Sequence, residues 1–191
     1  MTIKSTMFAN YNATFAAAET NTEGSAAGWR PDAGDHAVLV TGMVLDEGEF
    51  KQKDGQTFPC VNVTFQYQMV EDPGSPEPRS FIGAKFSLPN DPNAITDDGA
   101  KIRIRIETER IKGHLATLIG RKPDNLQVAM TLVSERLANG NVIPVKLRAK
   151  NRNRSSHYCP CCFGNLFGDG LRLSTAGDFS VFGERSKALL S

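Results

Sequence analysis

The feature that most constrains the fold is a run of strict alternation from Phe58 to Val70. Apolar side chains occupy every second position, at Val61, Val63, Phe65, Tyr67 and Met69. Polar side chains occupy the positions between them, at Asn62, Thr64, Gln66 and Gln68. Successive side chains of a strand point to opposite faces, so this pattern predicts a strand with one buried face and one solvated face. An antiparallel sheet that is covered on one side satisfies that requirement.

Neighbouring segments predict two further strands next to this one. His36 to Leu45 alternates around Gly42, where a bend or bulge is expected. Lys53-Asp54-Gly55-Gln56 supplies a hairpin turn between the two strands, because Asp-Gly is a favoured turn pair. Arg79 to Leu88 is the third predicted strand, after a Pro-rich loop over residues 71–78. Its alternation places Ile82 on the apolar face and Phe81 on the opposite one.

The second half of the chain predicts one helix followed by a hairpin. Apolar residues recur at helical spacing over Glu107–Gly120, and a second loop over residues 89–99 precedes them. Residues 101–106 alternate and leave open a strand that leads into the helix. Leu126 to Leu137 and Val142 to about Arg154 are the fourth and fifth predicted strands, joined by a turn at Asn139-Gly140.

Five strands with a helix between the third and fourth is the element order of the OB-fold, a partly open five-stranded barrel. A five-stranded sheet on a helix with another topology is the alternative. Residues 29–154 form this OB-like nucleic-acid-binding domain in the prediction. Residues 1–28 are expected to be a flexible arm that carries a short helix, because Phe8, Tyr11 and Phe15 are spaced i, i+3, i+7. Residues 155–191 form a Cys-containing tail.

The chain has no apolar run near the length that a membrane helix needs, and its first residues lack a secretory apolar stretch. These observations predict a cytoplasmic protein without a membrane partner.

Charge is distributed very unevenly along the chain. Residues 1–100 carry 6 Lys/Arg and 14 Asp/Glu, whereas residues 101–154 carry 13 and 4. Such polarity predicts one basic surface, and basic surfaces most often bind polyanions. The alternative is that the two halves neutralise each other in the fold.

The fifth predicted strand concentrates cations on one face. Ile143, Val145, Leu147 and Ala149 share one parity, and the other parity holds five basic residues: Lys146, Arg148, Lys150, Arg152 and Arg154. Same-face residues of a strand are about 6.6 Å apart, a spacing similar to that of phosphates along a nucleic acid strand. We expect this row to contact phosphates, although a solvated outer face would show the same alternation.

Aromatic residues near cations strengthen the nucleic acid hypothesis, because bases stack on rings beside a cationic groove. Phe81 lies between Arg79 and Lys85 on the predicted non-core face. Phe50 and Phe58 flank the first hairpin loop, which carries Lys51 and Lys53 and is expected to act as a flap. Trp29 beside Arg30 is a further candidate for stacking. Core packing is the alternative for each of these rings, and Phe65 and Tyr67 are assigned to the core.

Several segments together resemble the OB-fold single-stranded DNA-binding proteins of bacteriophages. They are the strand entry at 29–35 (WRPDAGD), the Lys-Asp-Gly hairpin at 53–55, the segment GAKFSLPND at 83–91 and the helix at Glu107–Gly120. The resemblance covers about residues 29–150. It implies a protein that coats DNA during phage DNA replication or recombination and recruits replication or recombination proteins, in the host cytoplasm if the chain is phage-encoded. It leaves a homo-oligomer open.

A cysteine cluster near the carboxyl end has the shape of half a zinc ribbon. His157, Cys159, Cys161 and Cys162 lie in the sequence HYCPCCFG. Tetrahedral zinc takes four ligands, so a structural zinc site would need these residues together with Cys60, His36, His114 or another subunit. Free thiols or a redox-labile pair are the alternative. No cofactor is required by this interpretation.

The sequence does not carry the nucleotide-binding or hydrolase motifs that identify common enzymes. Asp91, Asp97 and Asp98 precede the predicted helix, where acidic residues usually cap turns and helix starts. We therefore predict a non-enzymatic protein that binds single-stranded DNA with little sequence preference. The alternative is a virion or scaffold protein whose basic face binds an acidic protein partner.

Overall fold

A computed structural model describes residues 8, 11–20, 31–72 and 74–149 with their side chains, and the backbone of residues 23–24 and 171–174. Within these residues the fold is mainly β, with an antiparallel sheet built on four long strands and with three α-helices. In chain order the elements are α1 (Asn12–Ala17), β1 (Glu23–Gly24), β2 (Gly34–Lys51), β3 (Thr57–Met69), β4 (Ser80–Pro89), α2 (Asp98–Ile119), α3 (Leu126–Arg136), β5 (Ile143–Ala149) and β6 (Leu171–Ser174). Within these ranges, no helix has both the length and the apolar content needed to cross a bilayer.

The long strands are arranged in the order β5-β2-β3-β4, and the short strands β6 and β1 extend the sheet beyond β5. Every neighbouring pair is antiparallel. The 18-residue strand β2 pairs with β5 along its first part and with β3 along most of its length. Over the described residues, no ladder joins β4 to the opposite edge, so the sheet is open there.

The predicted first hairpin is confirmed. β2 ends at Lys51 and β3 begins at Thr57, directly opposite it in the ladder. The turn between them is closed by the amide of Gln52, which donates to the carbonyl of Gln56. Gly55 takes the positive φ of 89° that a tight turn requires. The predicted apolar residues of β3, Val61 to Met69 in alternation, are all buried.

Strand β4 corrects the prediction for its two faces, because it contains a bulge at Gly83. Phe65 pairs with Ala84 and Gln66 pairs with Ile82, so Gly83 has no partner across the ladder. One unpaired residue reverses the parity of the strand before it. Phe81 is therefore buried and Ile82 is 38% exposed, the opposite of the predicted arrangement.

Helix α2 begins earlier than predicted and includes the alternating residues 101–106. The side chain of Asp97 caps the helix by accepting from the amide of Ala100 at 2.7 Å. The helix ends at Gly120, whose φ of 75° suits a left-handed cap. Within the alternating stretch Ile104 is buried but Ile102 is 53% exposed, so the alternation does not correspond to a buried strand face.

The fourth predicted strand, Leu126 to Leu137, is wrong: this segment forms helix α3. Asn125 caps the helix by accepting from the amide of Val128 at 3.0 Å. The buried side chains lie at helical spacing, i, i+3, i+4 and i+7, namely Leu126, Ala129, Met130 and Val133. Asn139-Gly140 is a turn as predicted, with φ values of 60° and 77°, but it joins α3 to β5.

The short helix predicted near the amino terminus is present, but it belongs to the domain and not to a flexible arm. Phe8, Tyr11 and Phe15 are fully buried in the common core. Asn12 accepts a hydrogen bond from the amide of Leu126 at 3.1 Å, which ties α1 to α3. The buried ammonium of Lys112 donates to the carbonyls of Phe15 and Ala16 at the end of α1.

Candidate nucleic-acid interface

The candidate site is the face of the sheet that lies away from the helices, which we call the outer face. Its side chains come from alternate positions of the four long strands. Strand β5 contributes Lys146 and Arg148, and β2 contributes Asp35, Ala37 and Leu39 opposite them. Strand β3 contributes Asn62, Thr64, Gln66 and Gln68, and β4 contributes Ser80, Ile82, Lys85 and Ser87. The side chains at the alternate positions of these strands lie on the core face, where most of them are apolar and buried.

The predicted parity of the fifth strand holds over the part that the structure describes. Lys146 and Arg148 are exposed, whereas Val145, Leu147 and Ala149 are buried. Strand β5 is described as far as Ala149, and the predicted contacts Lys150, Arg152 and Arg154 lie outside the described residues. Two of the five predicted cations of this row are therefore placed on the outer face.

An acidic residue lies beside these cations. The guanidinium of Arg148 is 3.7 Å from the carboxylate of Asp35, and the two side chains are 70% and 74% exposed. An ion pair at this distance and exposure contributes little to stability and is easily exchanged for another anion. Asp35 stands directly opposite Arg148 in the ladder. The pairing of β2 with β5 would therefore predict this neighbour, but the sequence of β5 alone does not.

The middle of the outer face is polar and uncharged. Gln66 is exposed and Gln68 is half-buried, and both lie between the basic residues of β5 and Lys85 of β4. The sequence assigned these amides to the wet face of the strand but did not identify them as contacts. A Cβ at Gly42 would lie 2.7 Å from Oε1 of Gln66, so the glycine provides the space over which this side chain lies.

Arg79 and Lys85 of the predicted set have different environments. The guanidinium of Arg79 is 2.7 Å from the Asp72 carboxylate and donates to the carbonyl of Gly74 at 3.1 Å. These contacts hold it to the loop before β4. Lys85 is exposed on the outer face, opposite Thr64.

The predicted stacking rings that the structure describes are not available on this face. Phe81 is 7% exposed and stacks on Tyr67 inside the core, with ring centroids 5.7 Å apart. Phe50 is also buried, and the guanidinium of Arg103 lies 4.5 Å from its ring centroid. Phe58 is half-buried and packs against the core. Trp29 lies outside the described residues. Core packing, the alternative for the rings, thus applies to Phe81 and Phe50.

The hairpin that was expected to act as a flap is attached to α2. Arg103 donates to the carbonyl of Lys51 at 2.8 Å, and Gln52 accepts from the amide of Asp97 at 3.2 Å. Lys51 and Lys53 are exposed at the tip of the hairpin. These two cations lie at the helix side of the sheet end and not beside Lys146 and Arg148.

Part of the basic charge of residues 101–154 is held in contacts within the fold. Arg110 is buried with Glu107 at 3.5 Å, and burial raises the pKa of that carboxyl group. Lys112 is buried against the end of α1. Arg136 donates to the carbonyls of Leu118 and Ile119 at the end of α2. The excess of basic residues in this segment therefore overstates the charge of the surface.

A buried polar contact between two side chains lies in the core behind the outer face. The hydroxyl of Tyr67 and Nε2 of His114 are 2.7 Å apart, and both residues are buried. The rings of Phe65 and Phe86 lie 4.4 Å and 5.6 Å from the imidazole. Burial lowers the pKa of His114 to about 3 and raises that of Tyr67. This apolar cage holds the imidazole neutral.

The neutral His114 predicts a loss of stability in acid. Its ordinary pKa is about 6.5, so below that pH the unfolded chain binds a proton that the folded chain does not. We expect the free energy of unfolding to fall by about 1.4 kcal/mol per pH unit from pH 6.5 towards 3, or about 2 kcal/mol at pH 5. Urea unfolding of wild type and His114→Gln at several pH values measures this term.

The raised pKa of Glu107 makes the folded protein more stable in acid, which is opposite to the effect of His114. Glu107 is present in both proteins, so the difference between their pH profiles reports His114 alone. Parallel pH profiles for wild type and His114→Gln would show that the imidazole is not held neutral.

The predicted zinc site is not placed by the structure. His157, Cys159, Cys161 and Cys162 lie outside the described residues. The candidates for a further ligand are separated and have other roles: Cys60 is buried, His36 contacts the carbonyl of Asp32 at 2.7 Å, and His114 contacts Tyr67. Over the described ranges no group of three His, Cys, Asp or Glu side chains could hold a metal ion. Structural zinc in the tail stays a prediction.

Comparison of the chain with protein-family models, with curated proteins and with solved structures finds no match.

Proposed function

We propose that the protein is a non-enzymatic binding protein for single-stranded DNA, with little sequence preference, and that the strand crosses the outer face of the sheet. The observation that carries the proposal is the exposure of Lys146 and Arg148 on one side of β5. The alternate residues Val145, Leu147 and Ala149 are buried on the other side. Lys85 places a third cation on the same face. A role in replication or recombination, and partners from those processes, would follow from binding of this kind.

The positions of the three cations define a diagonal path. Lys146 stands opposite Ala37 of β2, and Lys85 stands opposite Thr64, which itself pairs with Val44 of β2. Seven residues of β2 separate these two points, and one of them, Thr41, lies in a bulge. The separation is therefore about 20 Å along the strand and about 14 Å across three strand spacings. A path of this length accommodates a few nucleotides, with phosphates at its ends and bases over Gln66 and Gln68.

Binding on this face would depend on charge and hydrogen bonds more than on stacking. Cations that neutralise phosphates release counterions, so affinity falls as salt rises. The side-chain amides and hydroxyls of the path can donate to and accept from any base edge, which suits weak sequence preference. Closure of the sheet into an OB-like barrel is not needed for this, and the barrel stays a prediction.

A charge-reversal pair tests the proposal. Lys146→Glu with Arg148→Glu is expected to lower the affinity for an oligo-dT of about eight nucleotides by at least tenfold, measured by fluorescence anisotropy at low salt. Lys101→Glu with Arg105→Glu is the matched control, because these exposed residues belong to α2, on the helix side of the sheet. The control variant should bind the same oligonucleotide as wild type does.

A neutral pair measures the number of phosphate contacts. Lys146→Gln with Arg148→Gln should reduce the slope of log K against log salt by about 1.4, since each contact with a single strand contributes about 0.7. Unchanged affinity and unchanged slope in a folded variant would show that the outer face does not bind the oligonucleotide. An equal loss in the Lys101/Arg105 variant would indicate general attraction between charges and not a defined path.

A further inference from the structure

A groove with an apolar floor and a basic rim lies between the end of α2 and the start of α3. Its volume is about 290 Å³, and we call it the α2–α3 groove. Ile119, Ala129 and Leu132 line it together with Val128, which is 54% exposed. Val128 is one of the most exposed large apolar side chains of the described chain.

The two cations at the rim of this groove form no ion pair within the described residues. Arg121 and Lys122 are both exposed, and neither forms an ion pair with the part of the chain that the structure describes. Asp124 also lines the groove and is exposed, which leaves one net positive charge. An apolar floor beside unpaired cations fits a partner surface that carries carboxylates next to an apolar residue.

The chain itself carries such a surface on the second half of β2. Glu47 and Glu49 share one face of the strand, about 6.6 Å apart, and both are exposed. No ion pair involves either of them within the described ranges. Pro59 stands directly opposite Glu49 in the ladder and is also exposed. We call these three residues the acidic edge.

The groove and the acidic edge lie at opposite ends of α2. Arg103, near the start of the helix, contacts the carbonyl of Lys51, two residues beyond Glu49. Ile119, at the other end, lines the groove. Sixteen residues of helix separate these two positions, which corresponds to about 24 Å. The two surfaces cannot meet within one molecule, but they can meet between two.

We propose that the α2–α3 groove of one copy binds the acidic edge of a second copy, so that the chains associate head to tail. Arg121 and Lys122 would lie against Glu47 and Glu49, and Pro59 would cover Val128. The contact joins two different surfaces, so it repeats from copy to copy and builds a row instead of a closed dimer. It is small and charge-dependent, and therefore weak for free chains. A shared polyanion would strengthen it by raising the local concentration of copies.

Complementary charge swaps test the pairing without nucleic acid. The first variant is Arg121→Glu with Lys122→Glu, which makes both surfaces acidic, and the second is Glu47→Lys with Glu49→Lys, which makes both basic. Sedimentation velocity at an ionic strength of about 0.05 M keeps screening weak. Wild type is expected to show a weight-average sedimentation coefficient that rises with protein concentration above that of a 20.8 kDa chain.

Each variant alone should sediment as a monomer at every concentration, because like charges then face each other. An equimolar mixture should again associate, since the acidic edge of the first variant fits the unchanged groove of the second, and the swapped pair is also complementary. Circular dichroism confirms that each variant is folded.

A monomeric wild type, self-association of either folded variant as in wild type, or a mixture that stays monomeric would overturn the proposal. Because no DNA is present, these outcomes are independent of whether the outer face binds oligonucleotides.

Discussion

Gly83→Ala is expected to lower the free energy of unfolding by about 3 kcal/mol or more, the upper end of the range for overpacked cores. A Cβ at this position would lie 1.6 Å from Cδ2 of Tyr67 and 1.8 Å from Cε2. The ring has no room to retreat, because it stacks on Phe81 and its hydroxyl contacts His114. Urea unfolding followed by circular dichroism measures the loss.

A double-mutant cycle attributes this loss to the ring. In a Tyr67→Leu background the added methyl group meets a smaller side chain, so Gly83→Ala should cost at least 1 kcal/mol less than in wild type. Equal costs in the two backgrounds, or a cost under about 0.5 kcal/mol in wild type, would mean that the tyrosine does not lie over the bulge.

Lys112→Met is expected to lower the free energy of unfolding by about 3 kcal/mol and to release α1 from the domain. The ammonium donates at 2.8 Å and 2.7 Å to the carbonyls of Phe15 and Ala16, and hydrogen bonds from charged groups contribute about 1.5–3 kcal/mol each. Methionine replaces the apolar stem of the side chain but ends before the ammonium position, so it leaves these carbonyls without their donor. Burial lowers the pKa of the ammonium.

Hydrogen exchange of the α1 amides reports the release directly, because exchange of a detached helix becomes faster than exchange of the sheet. Lys122→Met is the matched control, since Lys122 is exposed and should change stability by less than about 0.5 kcal/mol. If both methionine variants had the same stability and the same exchange in α1, the buried lysine would have no role in holding the helix.

The sequence predicted best those elements in which a period of two coincides with burial of one face. Strand β3 and the parity of β5 were found because their apolar residues alternate and one side of the sheet is covered. The faces of β4 were wrong for a local reason. Alternation in the sequence cannot reveal that Gly83 has no partner in the ladder. One unpaired residue moves the side chains of the preceding strand residues to the opposite face of the sheet.

Helix α3 was missed because its apolar residues satisfy two periods at once. Leu126, Val128, Met130 and Leu132 alternate like a strand, whereas Leu126, Ala129, Met130 and Val133 follow a helix. Asn125 as a helix cap was the signal that could have distinguished them. For α1, the spacing of the aromatic residues predicted the helix, but nothing local predicted that Lys112 would hold it to the core.

The candidate site was predictable only in part, because net charge in a segment does not determine where each charge lies. Lys146 and Arg148 were placed correctly since strand parity fixes their side of the sheet. Arg103, Arg110 and Lys112 belong to the same basic segment but contact Phe50, Glu107 and the end of α1 instead. The contacts of Arg103 and Lys112 join residues from distant parts of the chain, which no local pattern records, whereas Arg110 and Glu107 are one turn of α2 apart.

The pairing of β2 with β5 has a consequence for co-translational folding. Gly34 at the start of β2 lies opposite Ala149, more than a hundred residues later. While the chain is being synthesised, the β2–β3 hairpin can assemble early, but the edge of β2 that faces β5, from Gly34 to Val40, must stay unpaired until β5 has emerged. Contacts between such distant segments slow folding, and an unpaired strand edge invites aggregation. Nascent chains that stop before residue 143 are thus expected to depend on chaperones.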